Sequence, residues 1–180
     1  MTEQQIEFSL QTNKLQLKFW DKISHFGIVG FLLFIPLLFV FFHLRDSLNG
    51  TPKPMRDGEI YFLIIPTLLA ILFYKLQSDR LKFKEVFTNL TRQQLTDIIE
   101  KVGDKLKWYP EEISEKLIVA KTHPSFLSGS WGEQITILFD TNRVLVNSIC
   151  DPDKKSSVVS MGRNNKNVNT LISAIETASR

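Results

Sequence analysis

The sequence predicts a membrane helical hairpin of two transmembrane helices joined to an α+β soluble domain, and three observations lead to this fold class. Residues 23–44 are apolar and contain no Lys, Arg, Asp or Glu. Residues 60–76 form a second apolar run, and its one charge is Lys75. From residue 77 onward, alternating stretches and amphipathic helical stretches replace these runs. Because a helix needs about 20 apolar residues to cross the hydrocarbon core, with about 17 as the lower limit, both runs qualify.

The residues in and around the apolar runs are typical of membrane spans. Trp20 precedes the first run, and Tyr61 and Tyr74 lie near the two ends of the second; both residue types favour the headgroup level. Pro36 and Pro66 lie inside the runs, where a neighbouring helix can satisfy the carbonyl that each proline leaves free. A core hairpin of a soluble protein would show a polar face at the helical period, and a signal peptide would be followed by a small-residue cleavage site. The sequence shows neither feature.

Positive charges predict the orientation of the hairpin. The two flanks of the hairpin, with Lys75 at the end of the second run included, carry seven Lys and Arg residues, and the short loop 46–57 with its immediate neighbour Arg45 carries three. Since positive charge is retained on the cytoplasmic side, we expect both termini in the cytoplasm and the loop outside. The loop contains Asn-Gly, Asp-Gly and two prolines, so we expect turns there and no folded domain.

Residues 1–22 are predicted to be a strand-like cytosolic segment. Ile6, Phe8 and Leu10 alternate with polar residues, as do Leu15 and Leu17. This period of two favours a strand that pairs with the C-terminal domain. An amphipathic interfacial helix is the alternative interpretation.

Residues 77–180 are predicted to be a cytosolic α+β domain with the order β-α-β-β-β-α and an antiparallel sheet. The predicted strands lie around 81–87 and at 116–122, 134–139 and 143–149. Thr91 and Gln94 form a capping-box pattern at the start of the first helix, and Gly103 is its expected end. Val168, Leu171, Ile172 and Ile175 share one face of the last helix. We expect both helices on one face of the sheet.

The search for catalytic and metal-binding patterns gives a negative prediction. The three His residues are far apart in sequence, and Cys150 is the single Cys, which we expect to be buried. No paired ligand spacing or phosphate-binding loop is present. We therefore expect no catalytic site, no metal site, no cofactor and no enzyme activity. The C-terminal domain has fifteen basic and thirteen acidic residues, which argues against binding of a nucleic-acid duplex.

One segment is a candidate site for an anionic ligand. A predicted helix N-terminus near residue 162 offers unpaired backbone N–H groups and partial positive charge. The residues proposed to bind the anion are Gly162, Arg163, Asn164, Asn165, Lys166, Lys154 and Lys155. The simpler alternative is that Asn164 or Asn165 caps the helix and the cations are solvated. Under that alternative, Arg163→Ala would hardly change stability.

The segments 131–137, 146–152 and 162–167 form a recurring arrangement, Trp-Gly-Glu-Gln-Ile-Thr-Ile, Val-Asn-Ser-Ile-Cys-Asp-Pro and Gly-Arg-Asn-Asn-Lys-Asn. Over about 40 residues, it resembles small, uncharacterised two-pass membrane proteins of bacteria. The resemblance implies a cytosolic α+β module attached to a hairpin in the bacterial inner membrane. It implies no activity and no residue roles.

Two functional hypotheses follow. The first is a membrane-anchored, non-enzymatic protein whose cytosolic domain binds a protein partner or an anionic small molecule. The alternative is a ligand-gated, nucleotide-sensing effector that forms a homo-oligomer and perturbs the lipid bilayer. Gly27, Gly30 and Thr67 are the residues that would favour association of the spans. A membrane enzyme has less support, and the absence of an inverted repeat and of a charged midplane residue argues against a transporter.

Overall fold

The computed structural model describes residues 1–123, 131–154 and 160–180. Six helices and five strands lie in these ranges: α1 Glu3–Thr12, α2 Phe19–His25, α3 Gly27–Leu48, α4 Tyr61–Arg80, β1 Lys84–Phe87, α5 Arg92–Leu106, β2 Trp108–Ile113, β3 Leu117–Thr122, β4 Glu133–Asp140, β5 Arg143–Cys150 and α6 Arg163–Ala178. The chain divides into two compact units. We call residues 1–25 and 79–180 the sheet unit, and residues 26–78 the apolar hairpin.

The sheet unit contains one antiparallel sheet with the strand order β1-β5-β4-β3-β2. The predicted antiparallel α+β domain is thus confirmed, with one strand more than expected. The missed strand is β2, which contains Pro110 and two glutamates and has a register shift between Pro110 and Glu112. An edge strand tolerates such residues because one side of its backbone makes no ladder hydrogen bonds. Propensity alone therefore did not reveal it.

The first core of the sheet unit lies between the sheet and helices α5 and α6, as predicted. Leu95, Ile99 and Val102 of α5 and Leu171 and Ile175 of α6 pack against inward residues of the strands. Helix α5 begins with the predicted capping box of Thr91 and Gln94. Its predicted end at Gly103 is wrong. The helix continues to Leu106 and ends where Lys107 adopts a left-handed conformation.

The opposite face of the sheet carries a second core, and here the strand prediction for residues 1–22 is wrong. Residues 3–12 form helix α1, which starts with a capping box of Thr2 and Gln5. Ile6 packs on the sheet, and Leu10 packs against the same core, whereas Phe8 is exposed. A helix places residues i and i+4 on one face, so the spacing of Ile6 and Leu10 fits both periods.

The expected pairing of the N-terminal segment with the C-terminal domain is limited to three residues. The backbone N–H of Leu15 donates to the carbonyl of Leu81 at 2.7 Å, and the N–H of Phe83 donates to the carbonyl of Asn13 at 2.9 Å. Leu15 is buried in the second core. Residues 1–25 are therefore an integral layer of the sheet unit.

The apolar hairpin contains two helices, α3 and α4, that are long and apolar enough to cross a membrane. The ring centroids of Phe26 and Tyr74 are 5.5 Å apart at one end of the pair. At the other end, His43 Nε2 lies 3.9 Å from a carboxylate oxygen of Glu59. Length and composition favour association with a membrane.

Candidate functional site

The strands β3 and β5 end, and β4 begins, at the same end of the antiparallel sheet. Glu133 pairs with Cys150 across β4 and β5, and Lys121 pairs with Gln134 across β3 and β4. Helix α6 begins beside this end, at Arg163. We call this region, with residues 121, 122, 133, 151, 153 and 163 as its polar members, the charged sheet end.

On the helix face of the charged sheet end, the buried carboxylate of Glu133 is paired and hydrogen-bonded. The Glu133 side chain has no solvent exposure, and an oxygen of its carboxylate lies 3.0 Å from Arg163 Nε. The Thr122 hydroxyl donates to the same carboxylate and accepts the backbone N–H of Glu133 at 2.9 Å. A buried charge is tolerated only when it is paired and hydrogen-bonded, so Arg163 and Thr122 are what allow a glutamate here.

On the opposite face, Lys121 is the centre of a group of acidic residues. Its ammonium nitrogen lies 2.9 Å from Glu111, 2.5 Å from Asp153 and 3.6 Å from Asp151. Burial alone would lower the pKa of Lys121, but the hydrogen bonds that its ammonium group donates to Asp153 and Glu111 raise that pKa well above its ordinary value. Lys121 therefore stays charged and supplies the positive charge that these carboxylates require.

Asp151 is almost completely buried on the same face. One oxygen accepts the backbone N–H of Asp153 at 3.0 Å, and no hydrogen-bond partner among the described residues reaches the other. Burial raises the pKa of Asp151, while the Asp153 N–H and the Lys121 charge act in the opposite direction. Desolvation is the larger effect, because the carboxylate loses water on both oxygens and gains few donors.

The structure places the predicted anion-binding residues in three different situations. Gly162 is the N-cap of α6 with a positive φ of 80°, and Arg163 is held by Glu133. Asn164 is buried and accepts a hydrogen bond from the Ser148 hydroxyl at 3.1 Å. Asn165, Lys166 and Lys154 are exposed, and Lys155 lies outside the described residues.

Asn164 belongs to a buried polar network that includes Ser148 and Asn167. Asn167 donates to the Ser148 hydroxyl at 3.2 Å and accepts from the Trp108 indole N–H, also at 3.2 Å. The capping alternative is wrong, because the N-cap of α6 is Gly162 and not Asn164 or Asn165.

Sequence reasoning missed Glu133, Thr122 and Lys121, although one signal was available. Glu133 lies two residues before Ile135, in the alternating pattern that places Ile135, Ile137 and Phe139 in the first core. A glutamate at a core-facing strand position requires a buried cation or hydrogen-bond donor. The pattern alone did not indicate which of the basic residues would supply it.

The chemistry available at the charged sheet end is that of charge pairing. A polar cavity of about 130 Å³ is lined by Lys121, Gln134, Gln16, Asp21 and neighbouring residues. Sites for organic ligands are commonly about 300–1,000 Å³, so this cavity suits a few water molecules. Within the described ranges, no group of three or more His, Cys, Asp or Glu side chains is arranged to hold a metal ion.

Comparison of the chain with protein-family models, curated proteins and solved structures finds no match. Its function is therefore inferred from its own residues.

Proposed function

We propose that this protein is a two-pass protein of the bacterial inner membrane, with both termini and the sheet unit in the cytoplasm. The sheet unit acts as a non-enzymatic binding module. One observation carries the proposal: in their most apolar stretches, only 11% of the residues of α3 and 17% of those of α4 are buried.

The exposed apolar side chains of the hairpin support this proposal. Phenylalanine, leucine and isoleucine side chains point outward along both helices: Phe31, Phe34, Leu37, Phe41, Leu68 and Ile71. Exposed apolar patches on soluble monomers seldom exceed a few hundred Å². Since each Å² of exposed apolar surface costs about 25 cal/mol in water, lipid contact removes a large unfavourable term.

Membrane extraction of matched arginine variants tests this proposal. Leu37 in α3 and Ile113 in β2 are equally exposed, at 64% and 66%. We expect the wild type to stay in membranes during an alkaline carbonate wash and to be released by detergent. Leu37→Arg should lower the integral fraction, because arginine at the centre of a span costs about 2.5–3.5 kcal/mol. Ile113→Arg should behave as wild type. Release of the wild type by carbonate would contradict the proposal.

A protein partner for the sheet unit is supported by the residues around the charged sheet end. Trp131 and Met161 are exposed, and each lies two residues before a member of the Glu133–Arg163 pair. Trp and Met are enriched in protein interfaces. Arg163, one of the cations of the predicted anion site, is already paired with Glu133, which favours a protein partner over a small anion.

The nucleotide-sensing effector is the second candidate, and one feature of α6 favours it. The helix starts without a side-chain cap, and Asn165 and Lys166 are exposed in its first turn. An uncapped N-terminus attracts anions. The test is a titration of detergent-solubilised protein with ATP and with cyclic dinucleotides, monitored by melting temperature and by oligomer mass.

For the effector, a nucleotide should raise both the melting temperature and the oligomer mass of the wild type. Lys166→Ala should remove the response, and Lys101→Ala, an exposed lysine on α5, should keep it. An equal response in both variants would reject the anion site. Arg163→Ala is not suitable for this test, because it also breaks the pair with Glu133.

A further inference from the structure

Helix α2, Phe19–His25, has an apolar side and a polar side. At 100° per residue, Phe19, Trp20 and Ile23 fall within one arc of about 100°, and Asp21 and His25 fall on the opposite side. The three apolar side chains are 69%, 73% and 49% exposed. The arrangement is the inverse of an ordinary surface helix, whose apolar stripe faces the core.

Asp21, on the polar side of α2, faces the rest of the sheet unit, because it lines the polar cavity beside Lys121. His25, on the same side of the helix, is buried. Phe19 and Trp20 are in edge contact with each other, with ring centroids 5.2 Å apart. The sheet unit thus holds the helix through its polar side and turns the apolar side outward.

The surroundings of α2 indicate what covers this apolar side. Lys22 within α2 and Lys14, five residues before the helix in the sequence, are both exposed, which suits an anionic surface. The chain links α2 directly to a candidate span: Gly27, the first residue of α3, follows Ile23 by four residues, a reach of about 14 Å at most. Trp is the residue most typical of the headgroup level. A lipid surface satisfies the apolar side and the cations together.

We propose that α2 lies in the headgroup layer of the cytoplasmic leaflet, with Phe19, Trp20 and Ile23 at the acyl boundary and Lys14 and Lys22 among anionic headgroups. The ligand of this surface is anionic phospholipid. Since α2 is a part of the sheet unit, the sheet unit itself is held against the bilayer. This inference rests on the proposed membrane topology.

Quenching by brominated lipids tests the position of α2 in the full chain. The protein is reconstituted into nanodiscs that contain brominated phosphatidylcholine with phosphatidylglycerol. The chain has three tryptophans, of which Trp108 is buried and Trp131 is exposed on the sheet unit. We expect the bromolipid to quench wild-type emission, Trp20→Phe to remove most of the quenchable emission, and Trp131→Phe to remove little of it.

Two further comparisons separate the possible outcomes. Aqueous iodide should quench Trp20 weakly in nanodiscs. Lys14→Gln combined with Lys22→Gln should lower bromolipid quenching in anionic nanodiscs to the value found in purely zwitterionic ones. Strong iodide quenching of Trp20 would show that α2 is in water and overturn the inference, and shielding of Trp20 from both quenchers would show a protein contact and also overturn it. In either case carbonate resistance of the wild type would leave the proposed topology standing, whereas loss of that resistance would remove both.

Discussion

The sheet unit and the apolar hairpin use the same residue types in opposite ways. Leu171 of α6 has no solvent exposure, whereas Leu72 of α4 is half exposed. Helix α5 starts with a complete capping box, whereas the N-cap of α3 is Phe26, which makes no side-chain cap. The sheet unit is specified by its own packing and local hydrogen bonds. Few residues of the hairpin helices are buried, and the proposed membrane environment would supply the stabilisation that packing supplies in the sheet unit.

The largest expected effect is a loss of core packing. Leu171→Ala should destabilise the sheet unit by about 2–5 kcal/mol, because it leaves a cavity between helix and sheet. Leu72→Ala, the matched change in the hairpin, should leave the sheet unit unchanged. Hydrogen exchange of the β4 and β5 amides in detergent micelles measures both effects. Equal effects of the two variants would show that the units are not energetically distinct.

The next effect compares a buried ion pair with an exposed one. Removing one partner of a fully buried pair costs about 3–5 kcal/mol. The Arg163 side chain is about one third exposed, so water offsets part of this cost. We expect Arg163→Ala to lower the free energy of unfolding of the sheet unit by about 2 kcal/mol. Arg45, paired with Asp46 at 2.8 Å in the hairpin, is the control, and Arg45→Ala should cost about 0–1 kcal/mol in hairpin stability.

Hydrogen exchange of the β4 and β5 amides can also contradict the prediction for Arg163→Ala. An unchanged exchange rate in Arg163→Ala would mean that the buried Glu133 side chain does not depend on Arg163 for its stabilisation. The predicted role of Arg163 as the counter-charge of a buried carboxylate would then be wrong.

A smaller effect is expected at the start of α5. Thr91→Ala removes the hydroxyl that accepts the backbone N–H of Gln94 at 3.3 Å, and such a change costs about 1 kcal/mol. Ser173→Ala, at an exposed position of α6, should have little effect. If both variants exchange at the wild-type rate, the capping box does not contribute to the stability of the sheet unit.

The smallest effect depends on pH. The folded-state pKa of Asp151 is raised above its ordinary value of 3.8 by burial. The native state therefore binds this proton more tightly than the unfolded state, and ionised Asp151 lowers stability at neutral pH. The difference in free energy of unfolding between Asp151→Asn and wild type should therefore favour the variant more at pH 7 than at acidic pH. This advantage should shrink as the pH falls through the folded pKa toward 3.8.

Measuring the Asp151→Asn difference from pH 7 to 4 checks this sign. Lys121→Gln is the companion variant, since Lys121 is the nearest cation, 3.6 Å from Asp151. A stability difference between Asp151→Asn and wild type that grows as the pH falls would mean that Lys121 outweighs burial.

The sequence predicted the elements whose signals are local. The capping box at Thr91 and the apolar spacing of α6 define helices without reference to the rest of the chain, and both are confirmed. The two apolar helices are also found, at Gly27–Leu48 and Tyr61–Arg80. Helix α1 was missed because its apolar residues satisfy two periods, and the choice depends on the sheet that they cover.

The contacts at the charged sheet end were less predictable, because they join residues far apart in sequence. Arg163 and Glu133 are separated by 30 positions, and no local pattern pairs them. Lys121, near the end of β3, meets Glu111 of β2 and Asp151 and Asp153 after β5, and only the sheet topology brings these residues together. The sequence indicated a polar region near residue 162 but not that its arginine was already paired.

The central claim, a two-pass topology with the sheet unit in the cytoplasm, is tested most directly by cysteine labelling in intact cells. Lys53 in the connecting loop and Lys166 on α6 are both exposed, and the native Cys150 is buried, so the wild type serves as the background control. We predict that a membrane-impermeant maleimide labels Lys53→Cys in intact cells with a permeabilised outer membrane. Lys166→Cys should be labelled only after the inner membrane is opened. Labelling of Lys166→Cys in intact cells, with Lys53→Cys protected, would contradict the account.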